Sequence, residues 1–360
     1  DRDAPVLDVT FDDSTAADCV AGNNGTITGD VEFVDGVSGK AVRISNPEDI
    51  AGQNTTAEQY IDFGTPEELQ FGTDDFTIMF WYQSDGTLSG EGAVVSNKDW
   101  STGGNPGFTI GDMRQGMTLN FRAQGSSGRL DTSRYGGATE AGVWHHIAAV
   151  FNRTGNMTLY VDGAAAVSQS ISSQAGLSID VMNFVIGADG NHQCGVQDSY
   201  IDELKVYKKA LTADDIADYT APFVLQNKLD EYEALIASSS ASAEKKEAFQ
   251  AAIDDIRARA EGVTDLDTIR ALEDELKAAY NAFTGPEDGI MSFEVISDAH
   301  ISGTNNSASP NQKLIDAMDD IANDYSGISA LLNCGDYSNY ASVSETQGYF
   351  NIIAPYKDDF

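Results

Sequence analysis

The segment Phe293-Glu-Val-Ile-Ser-Asp-Ala-His-Ile-Ser-Gly303 ends an apolar run in a carboxylate and an imidazole, Asp298 and His300. The turn after a strand is rigidly placed, so its side chains can converge on one point. Aspartate offers a hard oxygen and histidine a borderline nitrogen, a pair that suits Zn, Fe or Mn. A second apolar run, Leu331-Leu-Asn-Cys-Gly-Asp336, ends in Gly335-Asp336, with Asn339 close behind. If the two runs are strands of a parallel βαβ unit, their ends share one edge of a sheet. Asp298 and Asp336 then lie side by side, with Asp336 placed to bridge two metal ions.

The elements that would carry these groups follow from three changes in composition along the chain. Residues 1–221 are rich in Gly and Thr, with short alternating segments: Phe76–Tyr82, Val143–Phe151, Met157–Val161 and Tyr200–Tyr207. Gly, Asn or Asp bounds them, and Val161-Asp162-Gly163 is a hairpin turn signal. Such punctuation predicts an all-β sandwich. Residues 222–285 lose glycine and gain Ala, Glu, Asp and Lys. Phe249, Ile253, Ile256 and Ala260 fall at helical spacing, as do Leu266, Ile269, Leu272, Leu276 and Phe283. Three helices are expected, the first opening at Pro222. The Ser238–Ser242 run separates two of them, and Thr264-Asp-Leu-Asp267 reads as a capping box for the last. Residues 286–360 open on a Gly-Pro linker and continue as strand 292–297, helix 310–325 and strand 328–333, one βαβ unit.

The totals bound the partners. The chain has 360 residues with 21 basic against 57 acidic side chains, a net charge of −36. That excess excludes nucleic acid as a natural partner, because phosphate binding runs on Lys and Arg. It suits cation binding, calcium included. No apolar run of about 18 residues offers a membrane span. No basic start with an apolar core marks a signal peptide. The cysteines Cys19, Cys194 and Cys334 form no CxxC pair. They are read either as one disulfide with a free thiol or as three buried thiols.

The residues from Leu7-Asp-Val-Thr-Phe-Asp-Asp13, through Gly36–Val42, Asp75–Trp81, Val143–His146 and Leu159–Gly163, to Ile201–Tyr207 and Ala210–Ile216 resemble the laminin-G-like, concanavalin A-like jelly-roll domains of secreted proteins. The resemblance implies two opposed antiparallel sheets, glycan binding and a structural calcium. In that family the first and last strands are neighbours. Asp12 or Asp13 would then meet Asp202, with carbonyls from Asn23-Asn24-Gly25; Asp12 and Asp202 are the expected calcium ligands. The same adjacency makes a Cys19–Cys194 disulfide expected in an oxidising compartment.

For glycan contacts, Trp81 and Trp144 are read as core residues because they lie within strands. Trp100 lies in a loop, as a ligand platform or a cap on the sheet, with Arg122, Arg134 and His192 as companions. His145 and His146 alternate, one facing in and one out.

The helical stretch is similar to the FIVAR-type modules of bacterial surface proteins, as a spacer or a packing element. Asp298-Ala-His300 and Gly335-Asp336-Tyr-Ser-Asn339 resemble the opening of a calcineurin-like metallophosphoesterase. That likeness implies Asp298 and His300 on one metal, Asp336 bridging two, Asn339 near them, and metal-activated hydroxide attacking a phosphate ester. The later histidine motifs of that family are not in this sequence, whose four histidines are His145, His146, His192 and His300. The expectation is therefore a fragment, inactive alone, of a secreted or cell-surface bacterial phosphoesterase carried to glycans by a lectin-like module. The alternative is a non-catalytic carbohydrate-binding adhesin or spacer.

Overall fold

The structure is a computed structural model. It describes residues 4–85, 90–113, 116–263 and 265–285, and within the remainder residues 293–296, 311–316, 318, 330–333, 349 and 351–352. The chain divides into two compact units, Asp1–Thr220 and Ala221–Phe360.

The first unit is an antiparallel β-sandwich. Its strands are β1 (Leu7–Val9), β2 (Thr26–Thr28), β3 (Glu32–Asp35), β4 (Lys40–Ile44), β5 (Tyr60–Asp62), β6 (Phe76–Ser84), β7 (Glu91–Ser96) and β8 (Gly107–Met113). They continue as β9 (Gly116–Arg122), β10 (Leu130–Asp131), β11 (His145–Phe151), β12 (Asn156–Val161), β13 (Ala164–Ser170), β14 (Val185–Ile186) and β15 (Ser199–Tyr207). One sheet runs β13-β12-β11-β6-β15-β4-β3, with β1 also paired to β15; the other runs β10-β9-β8-β7-β14-β5-β2.

Alternation explains the two layers. Phe76, Ile78 and Phe80 of β6 and Ile147, Ala149 and Phe151 of β11 face Phe108 and Ile110 of β8 and Leu119 and Phe121 of β9 in one core. Phe76 stacks between Phe71 and Phe151 at ring separations of 4.1 and 4.3 Å. The β12–β13 turn is the expected Asp-Gly: Asp162 and Gly163 both have positive φ, 50° and 84°, the geometry that keeps a two-residue hairpin aligned with strand twist. Met79, Ala148 and Val150, facing outward, are covered by Leu211 and Ile216.

Helix α1 (Ala213–Ser238) begins well before Pro222, which lies inside it. Its start is set by Thr212 and Asp215, which cap each other: Asp215 N donates to Thr212 Oγ1 at 3.1 Å and Thr212 N to Asp215 Oδ2 at 2.8 Å. A reciprocal box that satisfies two free backbone donors outweighs the preference of proline for a first turn.

In the second unit, α2 (Ala243–Ala260) is capped by Ser242 and α3 (Leu266–Thr284) by Asp265, whose carboxylate accepts Thr268 N at 3.0 Å. The capping box expected to start at Thr264 begins outside the described residues. Phe249, Ile253 and Ile256 pack with Ile269, Leu272, Leu276 and Phe283, and with Leu225 and Leu229 of α1. Beyond α3, strands β16 (Phe293–Ile296) and β17 (Ala330–Asn333) pair in parallel, Ile296 opposite Asn333, as the βαβ reading requires. No helix among the described residues is long and apolar enough to cross a membrane.

Candidate functional site

Asp298, His300, Asp336, Asn339 and Cys334 lie outside the described residues. The other expected site residues can be placed. Strand β1 pairs with β15, Val9 opposite Leu204, and both candidate calcium carboxylates reach the β3–β4 turn. Asp12 Oδ1 accepts Lys40 N at 2.8 Å; Asp202 Oδ2 accepts Ser38 N at 3.0 Å and its Oδ1 accepts Glu203 N at 2.8 Å. Each braces the turn, and burial raises the Asp202 carboxyl to about 6. Asp13 is spent locally on Thr15. Among the described residues no three His, Cys, Asp or Glu side chains gather as a metal site.

The expected Cys19–Cys194 disulfide is not formed: both thiols are free, Cys19 exposed and Cys194 buried. Cys19 follows β1 and its N–H donates to Asp8 O. Cys194 precedes β15, but its segment first crosses the other sheet, where Ala93 N donates to Cys194 O at 2.8 Å. The strands are neighbours; the cysteines flanking them are not. Burial, with Asp189, Glu91 and Asp99 nearby, pushes the Cys194 thiol up to about 12.

Trp100 is not a platform. It is 6% exposed and packs with Ala93, Met113 and Cys194. Its ring lies so close over Gly111 that a Cβ there would sit 2.5 Å from it, and the Trp100 backbone N–H donates to Asp189 Oδ2 at 2.7 Å. It is the cap on the sheet. Arg122 donates to the carbonyls of Gly104, in the Trp100 loop, and Ser126, in the loop after β9. His192 Nε2 meets Asp62 Oδ2 at 2.8 Å and the ring stacks on Tyr60 at 4.4 Å. Arg134 is exposed. Arg122 on β9 and His192 against β5 have β8, β7 and β14 between them, so these four residues form no single site. Of the histidine pair, His145 shares the inner face with Ile147, with Nδ1 at 2.8 Å from Asp162 Oδ2. His146 is buried outward against Trp81 and Tyr219, and burial pushes it down to about 3.

A different surface collects binding chemistry: the outer face of the first sheet. Register sets Glu32 opposite Arg43, Arg43 opposite Tyr200, and Tyr200 opposite Gln83. The β11–β6 register, His145 opposite Tyr82, extends to place Trp144 beside Gln83. Five side chains thus form one row across the strands. Trp144 and Tyr200 are both half-buried, and their rings meet edge to face at 6.3 Å. The Arg43 guanidinium lies 5.9 Å from the Tyr200 ring centre. Its Nη1 donates to Glu32 Oε2 at 2.6 Å and its Nη2 to Asp198. These bonds, first to Glu32 and then to Asp198, hold the guanidinium pKa above its ordinary value.

The next row on this face, Asp202–Trp81–His146, is closed: all three are buried and Tyr219 lies 5.1 Å from His146. The core assignment of Trp144 is therefore corrected. It precedes the strand and meets Tyr200 in the outer row, whereas Trp81 is buried against His146, which Tyr219 of α1 covers.

Behind the row, on the inner face, Tyr82 Oη donates to Asp112 Oδ2 at 2.7 Å and lies 2.9 Å from Ser199 Oγ. Burial raises the Asp112 carboxyl to about 6, above its value near 4 in an unfolded chain. The fold favours the neutral acid, so the stabilising contribution of this group is complete below about pH 4 and is lost as pH rises through 6. Asp112→Asn keeps an acceptor for Tyr82. It is expected to stabilise the sandwich at about pH 8, by up to about 3 kcal/mol, with no gain at about pH 4. Thermal unfolding at the two pH values reads this, and equal shifts at both would refute it.

Residues 54–217 match the family described as the concanavalin A-like lectin/glucanases superfamily, of laminin G type. No curated protein matches the chain. Among solved structures, the chain is similar to the binding domain of Paraclostridial Mosquitocidal Protein 1, with 22% identity over 62% of this chain and 53% of that one, TM-score 0.48. It is also similar to the binding domain of botulinum neurotoxin serotype G, with 15% identity over 60% of this chain and 50% of that one, TM-score 0.46. A third is domain 4 of AbnA, an extracellular arabinanase from Geobacillus stearothermophilus, with 20% identity over 60% of this chain and 97% of that one, TM-score 0.44. The chain spans about half the length of the first two.

Proposed function

We propose that the sandwich is a carbohydrate-binding domain and that the row Glu32–Arg43–Tyr200–Gln83–Trp144 is its binding surface, on a secreted or cell-surface protein. The observation that carries this is the half-buried Trp144–Tyr200 pair, flanked by planar hydrogen-bonding groups on an otherwise well-packed sheet. Aromatic faces take the C–H faces of sugar rings, and amide, guanidinium and carboxylate groups in their plane take the hydroxyls. The match of residues 54–217 to a family of lectins and glucanases supports the same reading. The test is a glycan array with the full chain beside its Trp144→Ala variant. A set of glycans bound by the first and not by the second is expected; identical profiles would refute the site.

A second reading, a metal-dependent phosphoesterase in a longer protein, is favoured by the parallel pairing of β16 and β17. In sequence, Asp298-Ala-His300 follows β16 and Gly335-Asp336 follows β17. Hydrolysis of an aryl phosphate by longer natural material with added Mn or Zn, abolished in Asp336→Asn, is the expected result. Undiminished turnover in the variant would remove Asp336 from the chemistry.

A further inference from the structure

We propose that the row takes a linear, uncharged glycan laid across the strands, engaging several successive sugar rings rather than one terminal residue. This rests on the carbohydrate reading above and names the ligand class for that surface.

The length of the site comes from register. Glu32, Arg43, Tyr200, Gln83 and Trp144 occupy five adjacent strand positions. Four strand spacings make on the order of 19 Å, room for roughly three or four pyranose rings end to end. The row is bounded on one side by the buried Asp202–Trp81–His146 row under Tyr219, so a ligand is guided across the sheet rather than along a strand. The chemistry alternates along it: a carboxylate and guanidinium at one end, an aromatic pair at the other. A single ring would cover only one of these.

The ligand charge follows from the ionised groups. Arg43 is the one cation of the row, and its two Nη atoms are spent on Glu32 and Asp198. Asp85 lies beside Asp198. A sugar carboxylate or sulfate would therefore lie against Glu32, Asp198 and Asp85 with no uncommitted cation in the row, on a chain of net charge −36. Repulsion of that kind opposes both encounter and docking. Neutral hydroxyls meet no such repulsion, and the partly buried Gln83 amide and the exposed Glu32 carboxylate of the row can hydrogen-bond them.

The experiment is calorimetric titration of the full chain with neutral gluco-, xylo- and manno-oligosaccharides, from the monomer to about the hexamer. Oligogalacturonate and sialyllactose serve as acidic probes, each at about 20 and about 300 mM NaCl. Affinity for one neutral series should rise at least about tenfold from monomer to tetramer and then level off, with little response to salt. Trp144→Ala should remove about thirtyfold or more and Tyr200→Ala about tenfold or more, with unchanged circular dichroism.

Tighter binding of the acidic probes that weakens in high salt would overturn the charge inference. Equal affinity for monomer and tetramer would overturn the extended site. If no probe of either charge binds and neither substitution changes any titration, the carbohydrate reading itself fails, and with it this one.

Discussion

Arg153→Ala is expected to destabilise the sandwich by about 3–5 kcal/mol, the range for removing one member of a buried charged network. Arg153 is 1% exposed. Its Nη1 donates to Gly72 O at 3.0 Å, and its Nη2 to Gln174 O at 3.0 Å and Leu177 O at 2.6 Å. The guanidinium also lies 5.0 Å from the centre of the Phe121 ring. One side chain thus ties the turn before β6 to the segment after β13 and to the core face of β9. Burial lowers its pKa against the pull of Asp75, Asp180 and Asp74, so the charge is kept because the carbonyls and these acids compensate it.

Alanine removes three buried donors and opens a cavity beside Phe121, each costly alone. Lysine keeps the charge but offers a point donor instead of a planar fork, and should recover only part of the loss. The three tryptophans of the chain, Trp81, Trp100 and Trp144, all lie in the first unit. Tryptophan fluorescence in a urea titration therefore reads the sandwich separately from the helices. A midpoint shift worth less than about 1 kcal/mol would mean that solvent or a neighbouring donor replaces the guanidinium.

The strands legible in the sequence are those whose alternation is decided by one buried face. In β6, Phe76, Ile78, Phe80 and Tyr82 face the core, and a period of two suffices to find them. The helical heptads from Phe249 to Phe283 are legible for the same reason, one apolar stripe facing one core. The start of α1 is not legible, because Pro222 is a strong local signal whereas the Thr212–Asp215 box resembles any acidic turn until its hydrogen bonds are formed.

The site was less legible. A loop position made Trp100 look available, but whether a loop folds onto a sheet is a tertiary matter. Here Gly111 gives up its side chain to make room for the ring, and no local pattern announces it. Trp144 presented the reverse problem. Its parity matches His146, Ala148 and Val150, all of them outward and all buried. The cover over those three comes from α1 and its approach and stops short of the row containing Trp144. Recognising that row requires the registers of β3, β4, β15 and β6 together, which join residues as far apart in sequence as Glu32 and Tyr200.

The geometry assigns Trp144 and Trp100 opposite consequences. Trp144→Ala should remove at least about 2 kcal/mol of glycan affinity, roughly thirtyfold, as expected for a central aromatic anchor, and leave the urea midpoint unchanged. Trp100→Ala should cost about 3–5 kcal/mol of stability, the usual range for emptying a buried aromatic position, and leave the affinity of the folded fraction unchanged. Fluorescence offers an independent check. Acrylamide carries no charge and so is not repelled by the acidic surface; it should quench the half-buried Trp144 and be excluded from it by bound glycan. Trp81 and Trp100, at 5% and 6% exposure, should be insensitive to both. If the affinity loss appears instead in Trp100→Ala at unchanged stability, the binding surface lies on the seven-stranded sheet and the row on the opposite face is only packing. The quenching result identifies that case without a second variant, since glycan would then leave Trp144 as accessible as before.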